Sequence, residues 1–194
     1  MLKSIGKGQS LLAQGQFGES WELMYGLMVV RREGPVDSGV VGIAMPGDLL
    51  GLEASLGVPY TYTTSALTTA WVLSESVHGA EDERALLIDG FLQQQRQSER
   101  MVHLRTGPIS GRMEYLIKLI AQSIGERSSL VSRSELPSLK DFAAILGIAV
   151  ETACRELNAF LPDRGFTREK SPQPWSNKLA TATRNISMNM QACL

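Results

Sequence analysis

Four residues in the C-terminal half have side chains and spacing suited to reading a base pair. Glu151, Cys154, Arg155 and Asn158 recur at i, i+3, i+4 and i+7, so on an α-helix they share one face. An arginine guanidinium donates two hydrogen bonds to O6 and N7 of guanine, and a carboxylate accepts from the N4 amine of cytosine. Glu151 with Arg155 one turn later is therefore a base-reading pair in chemical terms. The same spacing also describes a surface ion pair of small stabilising value, so the segment before it bears on the choice.

That segment has the form of a first helix and a turn. Ser138-Leu139-Lys140-Asp141 places a hydroxyl N-cap three residues before an acid, and opens a helix of about two turns with Phe142, Ala143 and Leu146 inward. Gly147-Ile148-Ala149 reads as a tight turn, in which glycine takes the left-handed geometry that a helix end needs. A second helix starts near Val150, with Ala153, Leu157 and Phe160 expected to face the core. The layout between Ser138 and Leu161 is a helix-turn-helix, which favours base reading by Glu151 and Arg155 over the bare ion pair.

Other chemistries are poorly supplied. The two cysteines, Cys154 and Cys193, are far apart and in no metal-ligand spacing, so both are expected to be free thiols. Only His78 and His103 occur, and there is neither a defensible Ser/His/Asp arrangement nor a phosphate-binding glycine loop. No cofactor is expected, and no enzyme. The net charge of -1 conceals an asymmetry. Residues 1–105 hold 8 Lys/Arg against 12 Asp/Glu, and residues 106–194 hold 11 against 8, so the halves carry -4 and +3. A mildly basic C-terminal half suits a polyanion partner.

The elements that must position the motif follow from glycine content and periodicity. With 43% hydrophobic and 20% charged residues, the 194-residue chain has the composition of a soluble globular protein. Met1 to Ser10 lacks the apolar run of a signal peptide and no stretch reaches the length of a membrane span, which points to the cytoplasm. From Gly6 to about Val72, frequent glycines and short β-prone runs, Leu27 to Val30 and Val40 to Ile43 among them, predict an antiparallel barrel or roll. Tyr60 to Trp71 reads as one or two further strands. A helix over Glu81 to Leu104 carries Ile88, Phe91 and Leu92, then Met101, Val102 and Leu104, with a polar run from Gln93 to Arg100 between them. That stripe suits either packing on the roll or a dimer seam. A shorter helix follows, with Ser110 as N-cap, Met113, Leu116, Ile117, Ile120 and Ile124 at helical spacing, and an end near Gly125. Glu126 to Pro137 reads as a connection or a short hairpin.

At this point a resemblance becomes specific. The string L-G-I-A-V-E-T-A-C-R-E-L, Leu146 to Leu157, resembles the recognition motif of the CRP/FNR family of bacterial transcription regulators, L-G-x-[ST]-x-E-T-[hydrophobic]-[SG]-R-x-L. Ala149 and Cys154 are mild departures. Upstream, P-G-D-L-L-G-L-E-A, Pro46 to Ala54, is similar to the P/Q-G-D-h-h-G stretch of that family's β-roll, and Ser65-Ala66-Leu67 resembles the strand after it. The resemblance implies an α+β chain: an N-terminal antiparallel β-roll over 1–80, a long dimerisation helix over 81–106, and a winged helix-turn-helix over 107–194. It also implies a homodimer on a two-fold symmetric duplex with a G-A step in each half, RNA polymerase as a candidate further partner, and a DNA-facing set of Val150, Glu151, Thr152, Cys154 and Arg155. Ser138 and Lys140, at the start of the first helix, are expected near phosphate.

Departures bear on the ligand and the wing. Cyclic-nucleotide-binding members carry Gly-Glu-[Leu/Ile]-[Ala/Gly] and then Arg-[Ser/Thr]-Ala, whereas here Leu52 follows Gly51, Glu53 comes one place late, and Thr64 stands before Ser65-Ala66. A buried phosphate without its cation is unfavourable, so cyclic AMP is not expected to bind, and the effector is left unknown. Ser171-Pro172-Gln173-Pro174 interrupts the hairpin expected after Gly165, although Ile186, Met188 and Met190 alternate as a strand would, so the wing is expected to be atypical. Trp175 fits equally a packed position or a mobile tail. The competing reading is a protein-interaction module on the same fold with little DNA affinity, which salt-sensitive DNA retention would distinguish.

Overall fold

Valine and isoleucine favour the pleated, half-buried surface of a sheet, and the runs around Val29 and Ile43 form two adjacent strands of one. In the computed structural model, strand β4 (Met28–Arg32) pairs antiparallel with β5 (Gly39–Ala44) on one side and with β7 (Thr63–Ala66) on the other, and β2 (Ser10–Leu12) completes the order β2-β7-β4-β5. A second antiparallel sheet has the order β1-β8-β3-β6, from β1 (Leu2–Ile5), β8 (Ala70–Glu75), β3 (Ser20–Tyr25) and β6 (Leu49–Leu50). Leu23, Met28, Ala44, Ala66, Ala70 and Val72 from both sheets are buried together, which makes the roll a packed core. The structure describes residues 1–35, 38–75, 80–125, 131 and 134–160, with the backbone alone for 75, 80–83 and 85–87.

Four helices follow: α1 (Ala80–Arg105), α2 (Ile109–Ser123), α3 (Leu139–Leu146) and α4 (Val150–Phe160). Among the described residues, no helix is long and apolar enough to cross a membrane. Of the one or two strands expected between Tyr60 and Trp71, β7 lies within that stretch and β8 begins at its end, at Ala70, and runs on to Glu75. Helix α2 begins one residue before the expected cap: Pro108 holds the N-cap position with extended backbone, and Ser110 lies inside the first turn. Proline's preset φ suits the entry to a helix, and the buried Met113, Leu116, Ile117 and Ile120 fix the rest of α2 by packing. Those side chains share a core with Val29 and Ile43 of the roll and with Phe142, Ile145 and Leu146 of α3.

Helix α1 turns its polar side to the roll. Gln93 donates to the Leu49 carbonyl at 2.7 Å and accepts from the Leu49 N–H at 2.6 Å, so one buried amide closes the free edge of β6. Arg100 reaches the Asp48 carboxylate at 2.5 Å and the Ile43 carbonyl at 3.3 Å. Gly90 lies on the same side, where an added Cβ would stand 2.8 Å from Leu52 Cδ1, so the Leu52 side chain of the 3-10 segment Leu52–Leu56 would have to shift to admit it. Ile88, Phe91, Leu92 and Val102 are exposed, at 53% for Ile88 and 63% for Phe91, and point away. The apolar stripe read from the sequence therefore divides: Leu104 goes inward, Met101 is partly buried, and the others face outward.

The chain divides into two compact units, Met1–Pro162 and Asp163–Leu194, and all described residues belong to the first. The expected wing after Gly165, the Ser171–Pro174 interruption, Trp175, the Ile186/Met188/Met190 alternation, His78 and Cys193 lie outside the described residues, as does most of the Glu126 to Pro137 connection.

Candidate nucleic-acid interface

Ser138 begins the motif as its sequence predicts. Its hydroxyl oxygen accepts from the Asp141 N–H at 3.2 Å and its O–H donates to Asp141 Oδ2 at 2.7 Å, so cap and acid satisfy each other at the first turn of α3. The other carboxylate oxygen, Oδ1, accepts from Arg31 of β4 at 2.5 Å. Phe142, Ala143, Ile145 and Leu146 fill the inward face of α3, and Lys140 stays exposed beside the cap.

Gly147 ends α3 in the left-handed region at φ 63°, ψ 43°, a geometry that costs other residues the Cβ contact glycine lacks. The Ile148 N–H returns to the Ala143 carbonyl at 3.0 Å and closes the turn, and α4 starts two residues later. Ala153 and Leu157 are buried and anchor α4. Phe160, expected inward, is 37% exposed; it is the last of the described residues.

The opposite face is open. Glu151 and Asn158 are exposed, the Arg155 side chain is 74% exposed, and Cys154 and Thr152 are half-buried beside them, with Val150 exposed at the helix start. Arg155 Nε sits 4.0 Å from Glu156 Oε1, and among the described residues its ion pair is with that neighbour rather than with Glu151. Among the described residues Glu151 and Arg155 therefore do not pair with each other, and the Arg155 head, held only by a 4.0 Å pair at the surface, stays open to a ligand. The Asn158 amide reaches Cys154 Sγ at 3.7 Å, a weak contact that leaves the thiol at the edge of the exposed face. A helix with such a face and an apolar back fits the B-DNA major groove, about 12 Å wide.

A second concave feature lies in the roll. A half-open cavity of about 250 Å³ is lined by Leu12, Val30, Val41 and Gly42 of the sheets, Gly51 to Glu53, Tyr60, Tyr62 and Thr64, and by Gln93, Gln94 and Gln97 of α1. Its lining holds one acid, Glu53, and neither lysine nor arginine. The Glu53 carboxylate accepts from the Thr61 N–H at 3.1 Å, inside its own loop. Among the described residues no cluster of histidine, cysteine and acidic side chains could hold a metal ion.

The sequence did not single out Arg31, Arg105 or Arg112, which join the motif to the rest of the chain. Arg105 Nη2 donates to the Ala144 carbonyl at 3.0 Å and to that of Val40 at 3.3 Å, and Arg112 Nη1 to that of Leu146 at 2.9 Å. Their partners are mostly backbone carbonyls, which leave no residue-type signal to pair with an arginine.

No protein-family model matches the chain, and no curated protein sequence does. Solved structures do. A CRP-family transcriptional regulator from Thermus thermophilus is similar over 81% of this chain and 83% of its own, with a TM-score of 0.66 and 21% identity. A CRP/FNR-family transcriptional regulator from the same organism covers 82% and 85% at a TM-score of 0.55 and 18% identity. FixK2 from Bradyrhizobium japonicum covers 82% and 83% at 0.59 and 16%. The chain has the fold of CRP/FNR-family regulators.

Proposed function

We propose that this protein is a sequence-specific transcription regulator of the CRP/FNR type, which binds a two-fold symmetric duplex as a homodimer. The observation that carries the reading is the exposed face of α4, where Glu151 and Arg155 stand exposed and unpaired with each other among the described residues, on a helix launched from a capped α3 and a left-handed Gly147. Arg155 takes guanine through its fork and Glu151 accepts from cytosine, while Val150, Thr152 and Cys154 border the contact. Lys140, at the exposed start of α3 beside the Ser138 cap, meets phosphate.

Dimerisation follows from α1. Ile88, Phe91, Leu92 and Val102 form an apolar face turned away from the roll, on a helix whose polar side is already occupied. A second copy of the same helix covers that face. Two α4 helices about 34 Å apart then read the same half-site on successive turns of one side of the duplex.

Cyclic AMP is not the effector. The roll cavity offers no cation for a cyclic phosphate, since Thr64 occupies the place of the family's arginine and Glu53 is already bonded within its loop. Millimolar cyclic AMP should leave the melting temperature and DNA binding unchanged, and saturable calorimetric binding would contradict this. The function is tested by selecting duplexes from a random pool with the full chain. Palindromic sites with a G-A step in each half are expected; recovery of unrelated sequences would contradict the reading.

A further inference from the structure

We infer that Arg105 and Arg112 are positioning residues for the reading helix, which they act on by holding the C-terminal carbonyls of α3. The inference rests on the function proposed above. The last four carbonyls of any α-helix lack partners within it. In α3 the Ala143 carbonyl is satisfied by the turn itself, through the N–H groups of Gly147 and Ile148. The next ones need donors from elsewhere. Arg105, the last residue of α1, gives Nη2 to the Ala144 carbonyl at 3.0 Å, and Arg112, in the first turn of α2, gives Nη1 to the Leu146 carbonyl at 2.9 Å. Both cations thus sit at the negative end of the α3 dipole, where positive charge is favoured.

The two guanidinium groups form one bracket. Arg112 Nη1 also lies 3.4 Å from the Arg105 carbonyl, and Arg105 Nη2 also reaches the Val40 carbonyl of β5 at 3.3 Å. The end of α3 is thereby referenced to α1, to α2 and to the roll at once. Arg112 Nε is buried beside this contact and has no hydrogen-bond partner among the described residues. The fit is close at the turn: a Cβ built on Gly147 would stand 3.1 Å from Arg105 Nη1.

The consequence for reading is geometric. The Leu146 carbonyl belongs to the peptide unit just before the left-handed Gly147, so rotation of that plane redirects all of α4. Arg155 lies five residues past the first residue of α4, about one and a half turns, where a small rotation becomes a displacement that a two-bond contact to guanine does not tolerate. Phosphate contacts are more forgiving of direction. Loss of the bracket should therefore reduce discrimination between sites more than general affinity.

The experiment titrates the full chain and its Arg112→Gln, Arg112→Lys and Arg105→Gln variants on a selected site and on scrambled DNA, at two salt concentrations, with unfolding transitions measured alongside. Arg112→Gln should lose about tenfold on the selected site, the scale of a hydrogen bond to a charged group, with affinity for scrambled DNA and the salt slope unchanged. Arg112→Lys should recover part of the loss, and Arg105→Gln should lose in the same direction. Equal losses on both DNAs, with the salt slope lowered by roughly one, would make these arginines phosphate contacts and overturn the inference. Lower stability with unchanged discrimination would reduce them to helix caps and overturn it equally. If Arg112→Gln fails to fold, the more exposed Arg105→Gln carries the test. Absence of any wild-type preference for the selected site would instead remove the function on which the inference rests.

Discussion

Arg31 of strand β4 donates to Asp141 at 2.5 Å, so the acid that completes the cap of α3 is also the point where the roll grips the helix-turn-helix motif. Both side chains are partly exposed, so the pair is worth on the order of 1 kcal/mol rather than the larger value of a buried one. Arg31→Ala should lower the urea midpoint by a corresponding amount, with the difference shrinking at high salt. A double-mutant cycle with Ser138→Ala should show coupling, because one carboxylate serves both partners. Strict additivity would mean that the two contacts are independent.

A larger effect is expected at Asp48, whose side chain is 3% exposed and is held by Arg100 and by the Met45 N–H at 2.8 Å. Arg100→Ala strands that carboxylate in the interior, which typically costs about 3–5 kcal/mol. Chemical unfolding should register the loss as a fall in midpoint at constant slope. Pairing Arg100→Met with Asp48→Asn should restore part of it, since no unpaired charge is then buried.

Phe91→Glu tests the outward face of α1. Phe91 is exposed in the single chain, so the fold and melting transition of the monomer should persist. Sedimentation should show loss of the dimer, and affinity for a full palindrome should fall toward that for a half-site. An unchanged dimer would place the subunit contact elsewhere.

At high pH, Tyr60 should contribute to unfolding. Burial, and then the nearby Glu19 and Glu53 charges, raise its phenol above the usual 10.0, even though its O–H donates to the Glu19 carbonyl at 2.7 Å. A raised acid holds its proton longer in the folded state. The stability this supplies is complete below the unfolded value and disappears as pH climbs through the folded one. Tyr60→Phe should flatten the fall in stability above about pH 10, leaving the part due to Tyr115, whose phenol is raised by burial in the same direction. An unaltered alkaline profile would count against this assignment.

The motif was legible in the sequence because its signals are local: a Ser138 cap, a glycine where the backbone turns left-handed, and apolar residues at helical spacing up to Leu157. The roll was legible in outline, from Val29, Val40, the threonines before Trp71 and the glycines between strands, whereas the pairing of β1 and β3 with the distant β8 left no local signal. Sidedness of α1 was not legible. Gln93 and Arg100 look like solvent-facing residues until the free edge of β6 and the buried Asp48 supply their partners, and both partners are distant in sequence. Ser110 misled for the opposite reason, as a good capping residue displaced by Pro108 and by the packing of Met113 and Leu116. Phe160 kept the period of its helix but is exposed at the last of the described residues.

The central claim, that α4 reads bases through Arg155, is tested most directly by titrating Arg155→Ala on a selected palindrome and on scrambled DNA at two salt concentrations, with Lys140→Ala beside it. Arg155→Ala should cost about 1–3 kcal/mol per half-site on the selected duplex, relax the preference at one base pair, and leave scrambled DNA little affected. Lys140→Ala should weaken both duplexes alike and lower the salt slope by roughly one. Equal losses on both DNAs for Arg155→Ala would contradict the account, because Arg155 would then be a phosphate contact and α4 would not be the reading helix.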